Sequence, residues 1–138
     1  ITFLDAVPVE EPVPNQLTQK AVSQLKKYFE GKLKKFDLPL DMQGTDFQIN
    51  VWNELLNIPF GETKSYMEIA ELVGDKKSIR AVGKANGDNK IAIVIPCHRV
   101  IGSDGKLTGY AGGLWRKKWL LDHEKKLSGK EMQMELEL

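Results

Sequence analysis

The 138-residue chain has a single cysteine, Cys97, so no internal disulfide can form. That excludes a disulfide-stapled framework and predicts a reducing, cytoplasmic setting, or a nuclear one in a eukaryote. No second cysteine can complete a thiolate zinc site, and neither a metal nor any other cofactor is expected. No apolar run approaches the roughly 18 residues of a membrane-spanning helix. Asp5, Glu10 and Glu11 break any secretory pattern at the start, so no membrane partner is expected either. Neither sign of charge dominates: 20 Lys and Arg oppose 19 Asp and Glu, a net charge of +1. A surface for nucleic acid must therefore come from local clustering rather than overall balance. Internal repeats and low-complexity blocks are missing too. What remains, 41% apolar and 28% charged, is usual for a globular chain of one domain, or one domain and part of another.

Residues 1–14 read as a short extended piece, Ile1-Thr2-Phe3-Leu4, followed by a linker through Pro8, Pro12 and Pro14. Asn15 is an N-cap candidate, and Leu17, Ala21, Val22, Leu25, Tyr28 and Phe29 recur at helical spacing until Gly31. Lys32 to Met42 reads as extended. From Thr45 to Leu56 the pattern is an amphipathic helix, closed by Pro59-Phe60-Gly61. Ser65-Tyr66-Met67-Glu68 is a capping box, with Glu68 three residues after the Ser65 cap. Its helix ends at Gly74, and Asp75 can cap a second helix from Lys76 to Asn86. Two short helices joined by a tight turn form a helix-turn-helix candidate.

Ile91 to Ile95 reads as a buried extended segment that delivers Pro96-Cys97-His98 to a loop. Gly102-Ser103-Asp104-Gly105 is a turn, and Thr108-Gly109-Tyr110-Ala111-Gly112-Gly113 is a loop able to approach a ligand closely. A last helix spans about Leu114 to Lys126, with Trp115 and Trp119 in its apolar set; all three tryptophans, with Trp52, are expected in the core. Ser128 to Leu138 shows no structural logic.

Thiols attack as thiolates, and an unperturbed cysteine, with a pKa of roughly 8.5, is only slightly ionised at neutral pH. His98 beside Cys97 can take the proton, directly in a tight turn or through a water. Glu124, near the end of the last helix, is the candidate for orienting it. A carboxylate there opposes the helix dipole, so it calls for a partner. On the Cys97-His98 adjacency alone, a small buried core residue is the plainer reading. A glycine-rich loop after the thiol and a helix pair before it favour a chemical role.

The stretch from about Gly44 to Glu124 resembles the O6-alkylguanine-DNA alkyltransferase family. The resemblance rests on Pro96-Cys97-His98-Arg99-Val100, Arg80-Ala81-Val82-Gly83, Asn89, Thr108 to Gly113, and Trp119-Leu120-Leu121-Asp122-His123-Glu124. It implies an α/β protein in two parts. Residues 1–43 would be a short ribonuclease-H-like α/β portion with a linker. Residues 44–127 would be a mainly helical, winged helix-turn-helix-like DNA-binding alkyltransferase domain, followed by a tail, 128–138. The implied activity is single-turnover transfer of the alkyl group from O6-alkylguanine in duplex DNA to Cys97, after flipping of the base. O4-alkylthymine is a further candidate substrate. The implied partner is lesion-bearing duplex DNA, bound by a monomer.

The resemblance also implies roles. Cys97 is the acceptor, His98 the base acting through water, and Glu124 its orienting partner. Tyr66 crowds the target phosphate and donates to the flipped guanine, while Tyr110 walls the alkyl pocket. The backbone at Cys97, Val100 and Ala111 reads the guanine edges. Asn89 braces the turn ahead of the active-site loop, and Arg80 fills the gap left by the flipped base. Ala81, Gly83 and Ala85 are small side chains that would let the helix enter the minor groove, where readout is degenerate. The basic residues Lys32 to Lys35, Arg116-Lys117-Lys118 and Lys125-Lys126 read as solvated faces.

Two other readings stay open on the residues alone: a DNA-binding module without transfer activity, and a hydrolase using Cys97, His98 and Glu124. Departures from the family lie at the N-terminus. The portion before Gly44 is short and its first hairpin is missing, so a trimmed chain that begins at Ile1 rather than Met is expected.

Overall fold

The computed structural model describes Ile1, Phe3 and 15–137, with side chains through Gly129. The linker with Pro8, Pro12 and Pro14, and most of the extended piece before it, lie outside the described residues. The chain divides into two compact units: one is Phe3–Asp41, and the other is Met42–Leu138 together with the first two residues.

The smaller unit holds α1, Gln16–Phe29. The Asn15 side chain accepts from the Thr18 N–H at 2.8 Å, as the N-cap reading required. Gly31, at φ 78°, turns the chain after the helix. Gln24 holds the returning strand-like segment through two bonds to the Asp37 backbone, both 2.9 Å. Tyr28 is fully buried, with its ring 5.6 Å from that of Phe36.

The larger unit begins with α2, Asp46–Leu56, capped by a reciprocal Thr45–Gln48 box. Its inward face carries Val51, Trp52 and Leu55. The Trp52 indole N–H donates to the Ala85 carbonyl at 2.8 Å, so its one polar atom is satisfied inside the core. Gly44 is required by close approach: a Cβ there would come within 2.8 Å of the Trp52 ring.

The strand β1, Lys64–Ser65, leads into α3, Tyr66–Leu72, through the predicted Ser65–Glu68 capping box. Asp75 caps a 3-10 turn, Lys76–Ser78, that runs into α4, Ile79–Gly87. Ile69, Ala70, Val82 and Ala85 join α2 residues to form the core between the three helices. Burial of each large aliphatic side chain contributes about 1.5–3 kcal/mol. The helix-turn-helix expected from the caps is present. Ala85, however, is buried on the core side, so it does not belong to the open face with Ala81.

The segment Ile91–Ile95 is buried but not extended. The Val94 N–H bonds to the Ala92 carbonyl at 2.9 Å, and the Ile95 N–H bonds to the Ile91 carbonyl at 3.0 Å. Ile93 takes φ 72°, a left-handed conformation costly for a β-branched residue. Buried peptide groups must be satisfied, and here tight turns do so locally. Among the described residues the ladder pairs β1 with β2, Val100–Ile101, in parallel, with Lys64 opposite Val100.

Helix α5 runs from Leu114 to Glu137, well past the expected end at Lys126. Lys, Glu, Met, Gln and Leu after Gly129 are strong helix formers, and no proline stops them. Glu124 therefore lies within the helix, and the expected clash with a helix terminus does not arise. Trp115 and Trp119 are not core residues: they are 67% and 48% exposed. Trp115 stacks on the Arg116 guanidinium at 4.5 Å, and Trp119 on the His123 ring at 4.9 Å. The tryptophans thus differ sharply in their expected cost. Trp52→Ala should destabilise by about 3–5 kcal/mol in denaturant unfolding, and Trp115→Ala by less than about 0.5 kcal/mol.

Candidate active site

Pro96 leads into a 3-10 turn, Cys97–Arg99, placed at the start of β2. In that turn consecutive side chains do not alternate as on a strand, and Cys97, His98 and Arg99 are all buried. The His98 Nε2 sits 2.6 Å from Glu124 Oε2. Arg99 donates to both oxygens of the same carboxylate, Nε to Oε1 at 2.7 Å and Nη2 to Oε2 at 3.2 Å, and its Nη1 donates to the Ile58 carbonyl at 2.7 Å. The Gly61 N–H adds a bond to Glu124 Oε1 at 3.2 Å. Gly61, at φ 83°, has no room for a side chain, because a Cβ would overlap Ser128.

Burial by itself would raise the Glu124 pKa, but the bonds and charges of His98 and Arg99 outweigh it and bring it to about 2. Burial lowers the His98 pKa below its usual 6.5, against the pull of Glu124. The neutral state is consistent with the local charge count, because Arg99 already neutralises Glu124. The neutral ring donates its Nε2–H to Glu124. Its Nδ1 is then a bare lone pair, buried and without a hydrogen-bond partner among the described residues. The arrangement is a base held in one tautomer by a carboxylate, in the same turn as a thiol. Burial pushes the Cys97 thiol above its ordinary pKa, and a hydrogen bond from Asn89 and the charge of Lys117 pull it back.

Asn89 stands at the turn ahead of the site: its Nδ2 donates to the Ile95 carbonyl at 2.8 Å, and its Oδ1 accepts from the Ile91 N–H at 2.9 Å. Tyr66 opens α3 and donates its hydroxyl hydrogen to the Thr108 carbonyl at 3.0 Å. Burial raises its pKa, and hydrogen bonds with Thr108 and Asn86 partly offset that. Tyr110 is half-buried; desolvation raises its phenol pKa well beyond the usual 10. Val100 is fully buried behind the turn, whereas Ala111 is exposed on the glycine-rich loop. Arg80 and Ala81 are exposed on α4, and a Cβ on Gly83 would enter open space. The α4 face thus stands apart from the buried cluster at Cys97.

Three polar residues in the site carry no role in the sequence reading. Arg99 lies inside the quoted cysteine motif, yet it is a structural anchor for Glu124. Lys117 is not solvated but completely buried, donating to the Thr108 carbonyl at 2.8 Å and the Tyr66 hydroxyl at 3.4 Å. Burial lowers its pKa to about 8, and the Cys97 thiolate opposes that shift. Helical phase holds the signal for it: Lys117, Leu120 and Glu124 fall on one face, and all three are buried. Asn86, at the end of α4, donates its Nδ2 to the Cys97 carbonyl at 3.2 Å.

The model of the 6-O-methylguanine DNA methyltransferase DNA-binding domain matches residues 46–126, and that of the ribonuclease-like domain of the same proteins matches residues 1–42. The chain belongs to the 6-O-methylguanine DNA methyltransferase family. It is 61% identical over 105 residues to the methylated-DNA–protein-cysteine methyltransferase of Mycobacterium tuberculosis H37Rv, covering 76% of this chain and 64% of that protein. The chain thus spans a little under two thirds of the length of that curated relative. It resembles the crystal structure of Mycobacterium tuberculosis OGT in complex with DNA, with a TM-score of 0.78 and 58% identity, over 80% of this chain and 67% of that one. A more distant likeness is to S. pombe Atl1 in complex with damaged DNA containing O6-carboxymethylguanine: TM-score 0.54 and 33% identity, over 60% of this chain and 79% of that one. The two-part fold expected from the sequence is the family's, mostly helical with a small parallel sheet.

Membership explains the motifs; the buried cluster fixes their acid response. Glu124 titrates below its ordinary 4.5 in the folded state, so its contribution to stability is present above that value and lost as pH falls toward 2. His98 is also depressed, so its contribution begins to fall below 6.5. The unfolding temperature should therefore drop from pH 7 to 5 and again below about 4.5. A constant value from pH 7 to 5 contradicts a neutral His98. Arg99→Leu leaves the buried carboxylate short of its cation and should cost about 3–5 kcal/mol in denaturant unfolding.

Proposed function

We propose that this chain repairs DNA by moving the alkyl group of O6-alkylguanine in duplex DNA onto Cys97, once per molecule. The observation that carries the reading is the bare Nδ1 of a tautomer-locked His98 in the same 3-10 turn as the thiol. The Cys97 proton passes through a water to His98 Nδ1, and Glu124 stabilises the imidazolium. The new bond joins Sγ to the alkyl carbon. The C–O6 bond breaks with its electron pair on guanine, which takes up a proton and leaves as the normal base. Displacement at the alkyl carbon by a thiolate asks for alignment and a protonated leaving group, not for a cofactor.

Tyr66 donates to the leaving guanine when its hydroxyl turns away from the Thr108 carbonyl. Lys117 also donates to that carbonyl, which keeps a partner throughout. Tyr110 walls the alkyl group, and the backbone of Cys97, Val100 and Ala111 reads the base edge. Arg80 enters the stack as the base leaves, while Ala81 and Gly83 let α4 lie in the minor groove. Asn89 holds the turn that presents the thiol. In this reading residues 44–127 carry DNA binding and transfer, 1–43 form the ribonuclease-like portion, and 128–138 are a tail, of which 128–137 continue α5. The protein acts as a monomer in the compartment that holds its DNA, the cytoplasm or a nucleus. No described helix is long and apolar enough to cross a membrane.

Incubation with a duplex bearing O6-methylguanine should add one methyl group to the peptide containing Cys97, with none added to Cys97→Ala. Folded parent protein that binds the lesion but gains no mass would instead be a lesion-binding module, and the transfer reading would fall.

A further inference from the structure

Lys117 is held at a cost that packing does not explain. It is completely buried near the start of α5, the end of a helix dipole that disfavours a cation. Among the described residues no carboxylate pairs with it. An ammonium removed from water without a counter-charge is strongly disfavoured. Its Nζ reaches neutral oxygens instead: the Thr108 carbonyl at 2.8 Å and the Tyr66 hydroxyl at 3.4 Å. It also lies 5.6 Å from the centre of the Tyr66 ring, within reach of a cation–π contact. Leu120, the next buried side chain on this face of α5, is apolar, so an apolar residue at 117 would satisfy the packing. The cation is thus directed at Tyr66 and at the carbonyl that Tyr66 shares with it.

We propose that Lys117 is a positioning residue that acts through Tyr66: its ammonium holds the phenol oxygen and directs the phenol hydrogen to the departing guanine. The inference rests on the alkyltransferase reading above and deepens it. Before the lesion enters, Tyr66 and Lys117 both donate to the Thr108 carbonyl. When the tyrosine turns to guanine, Lys117 stays on that carbonyl, and an ammonium has two further hydrogens to give to the phenol oxygen. A hydroxyl that accepts from a cation is itself a stronger donor. As the C–O6 bond breaks, its electron pair goes to guanine and the phenol hydrogen follows it to a ring nitrogen. The phenolate left on Tyr66 is then balanced by the Lys117 ammonium. Without that charge the phenol resists giving up its hydrogen, because desolvation holds its pKa above the usual 10. The same ammonium lowers the pKa of the Cys97 thiol, so its removal also reaches the nucleophile, by a route that a second alkyl donor separates.

Two reactions, both read by the mass of the Cys97 peptide, test this in the parent, Lys117→Met, Tyr66→Phe and the double variant. One is single-turnover transfer from a duplex bearing O6-methylguanine; the other is methylation of Cys97 by methyl iodide. Iodide departs without a proton, so the second reaction reports on the thiol alone. Lys117→Met should slow the lesion reaction about tenfold or more, and the methyl iodide reaction by less than about threefold. In the Tyr66→Phe background, adding Lys117→Met should slow the lesion reaction by less than about threefold further, because the group it acts through is already gone. Melting by circular dichroism checks folding, and Lys117→Gln, which keeps a donor but not the charge, carries the same expectations if the methionine variant does not fold. A lesion rate within about threefold of the parent overturns the proposal. Losses that multiply in the double variant, or equal losses on the lesion and on methyl iodide, overturn it too. In these cases the parent still transfers, so the alkyltransferase reading stands; a parent methylated by methyl iodide but never by the lesion brings down both.

Discussion

The Glu124 carboxylate is the group on which the rest of the site depends. It receives a hydrogen from His98, two from Arg99 and one from the Gly61 backbone, at distances of 2.6 to 3.2 Å. A carboxylate removed from water is tolerated only with such complete partnership. Its partners come from two places in the chain, the turn after α2 and the 3-10 turn at Cys97, while the carboxylate itself comes from α5. One side chain thereby ties the last helix to the Cys97 turn and fixes the tautomer of His98. Buried ion pairs add little net stability compared with an apolar core, but losing one partner leaves a charge stranded. The cluster is therefore best understood as a device for orientation, with steep penalties for disturbing it.

A second set of bonds shapes the backbone around the thiol. Asn89 holds the turns of 91–95, and Asn86 holds the Cys97 carbonyl. The parallel pairing of β1 with β2 sets Tyr66, next after Ser65 in sequence, beside the exit from that turn. Lys117 reaches across to the Thr108 carbonyl, so Tyr66 and the glycine-rich loop share one cation. The thiol is raised in pKa by burial, and the Lys117 charge and Asn89 bond counter that shift. In the proposed transfer its activation falls to His98, which burial keeps neutral and able to accept a proton.

Local signals were legible wherever a side chain acts on its own backbone. The caps at Asn15, Ser65 and Asp75 are such cases, because the bond each makes lies within three residues. The motif around Cys97 was legible as well, since its chemistry is carried by residue type. Long-range packing was not. Trp115 and Trp119 share a helix with buried Leu120, and only the placement of α5 decides which face is covered. The run Ile91–Ile95 has the composition of a strand, yet among the described residues it pairs with no named strand and folds into turns. Tertiary context overrides a β-propensity that is itself mostly a measure of packing.

Residue order alone determined the helix starts, the lone thiol and the His98 beside it, because these follow from covalent neighbourhood and backbone hydrogen bonding within a few residues. Family membership was readable there too, through motifs that keep their order and spacing. Only the tertiary structure decided the partners of Glu124, the burial of Lys117 and the bond from Asn86 to the Cys97 carbonyl. Their bonds join groups between 9 and 63 residues apart. At such separations, charge and hydrogen-bond demand say that a partner is needed but not which one; the packing of α4 and α5 around the Cys97 turn makes the choice.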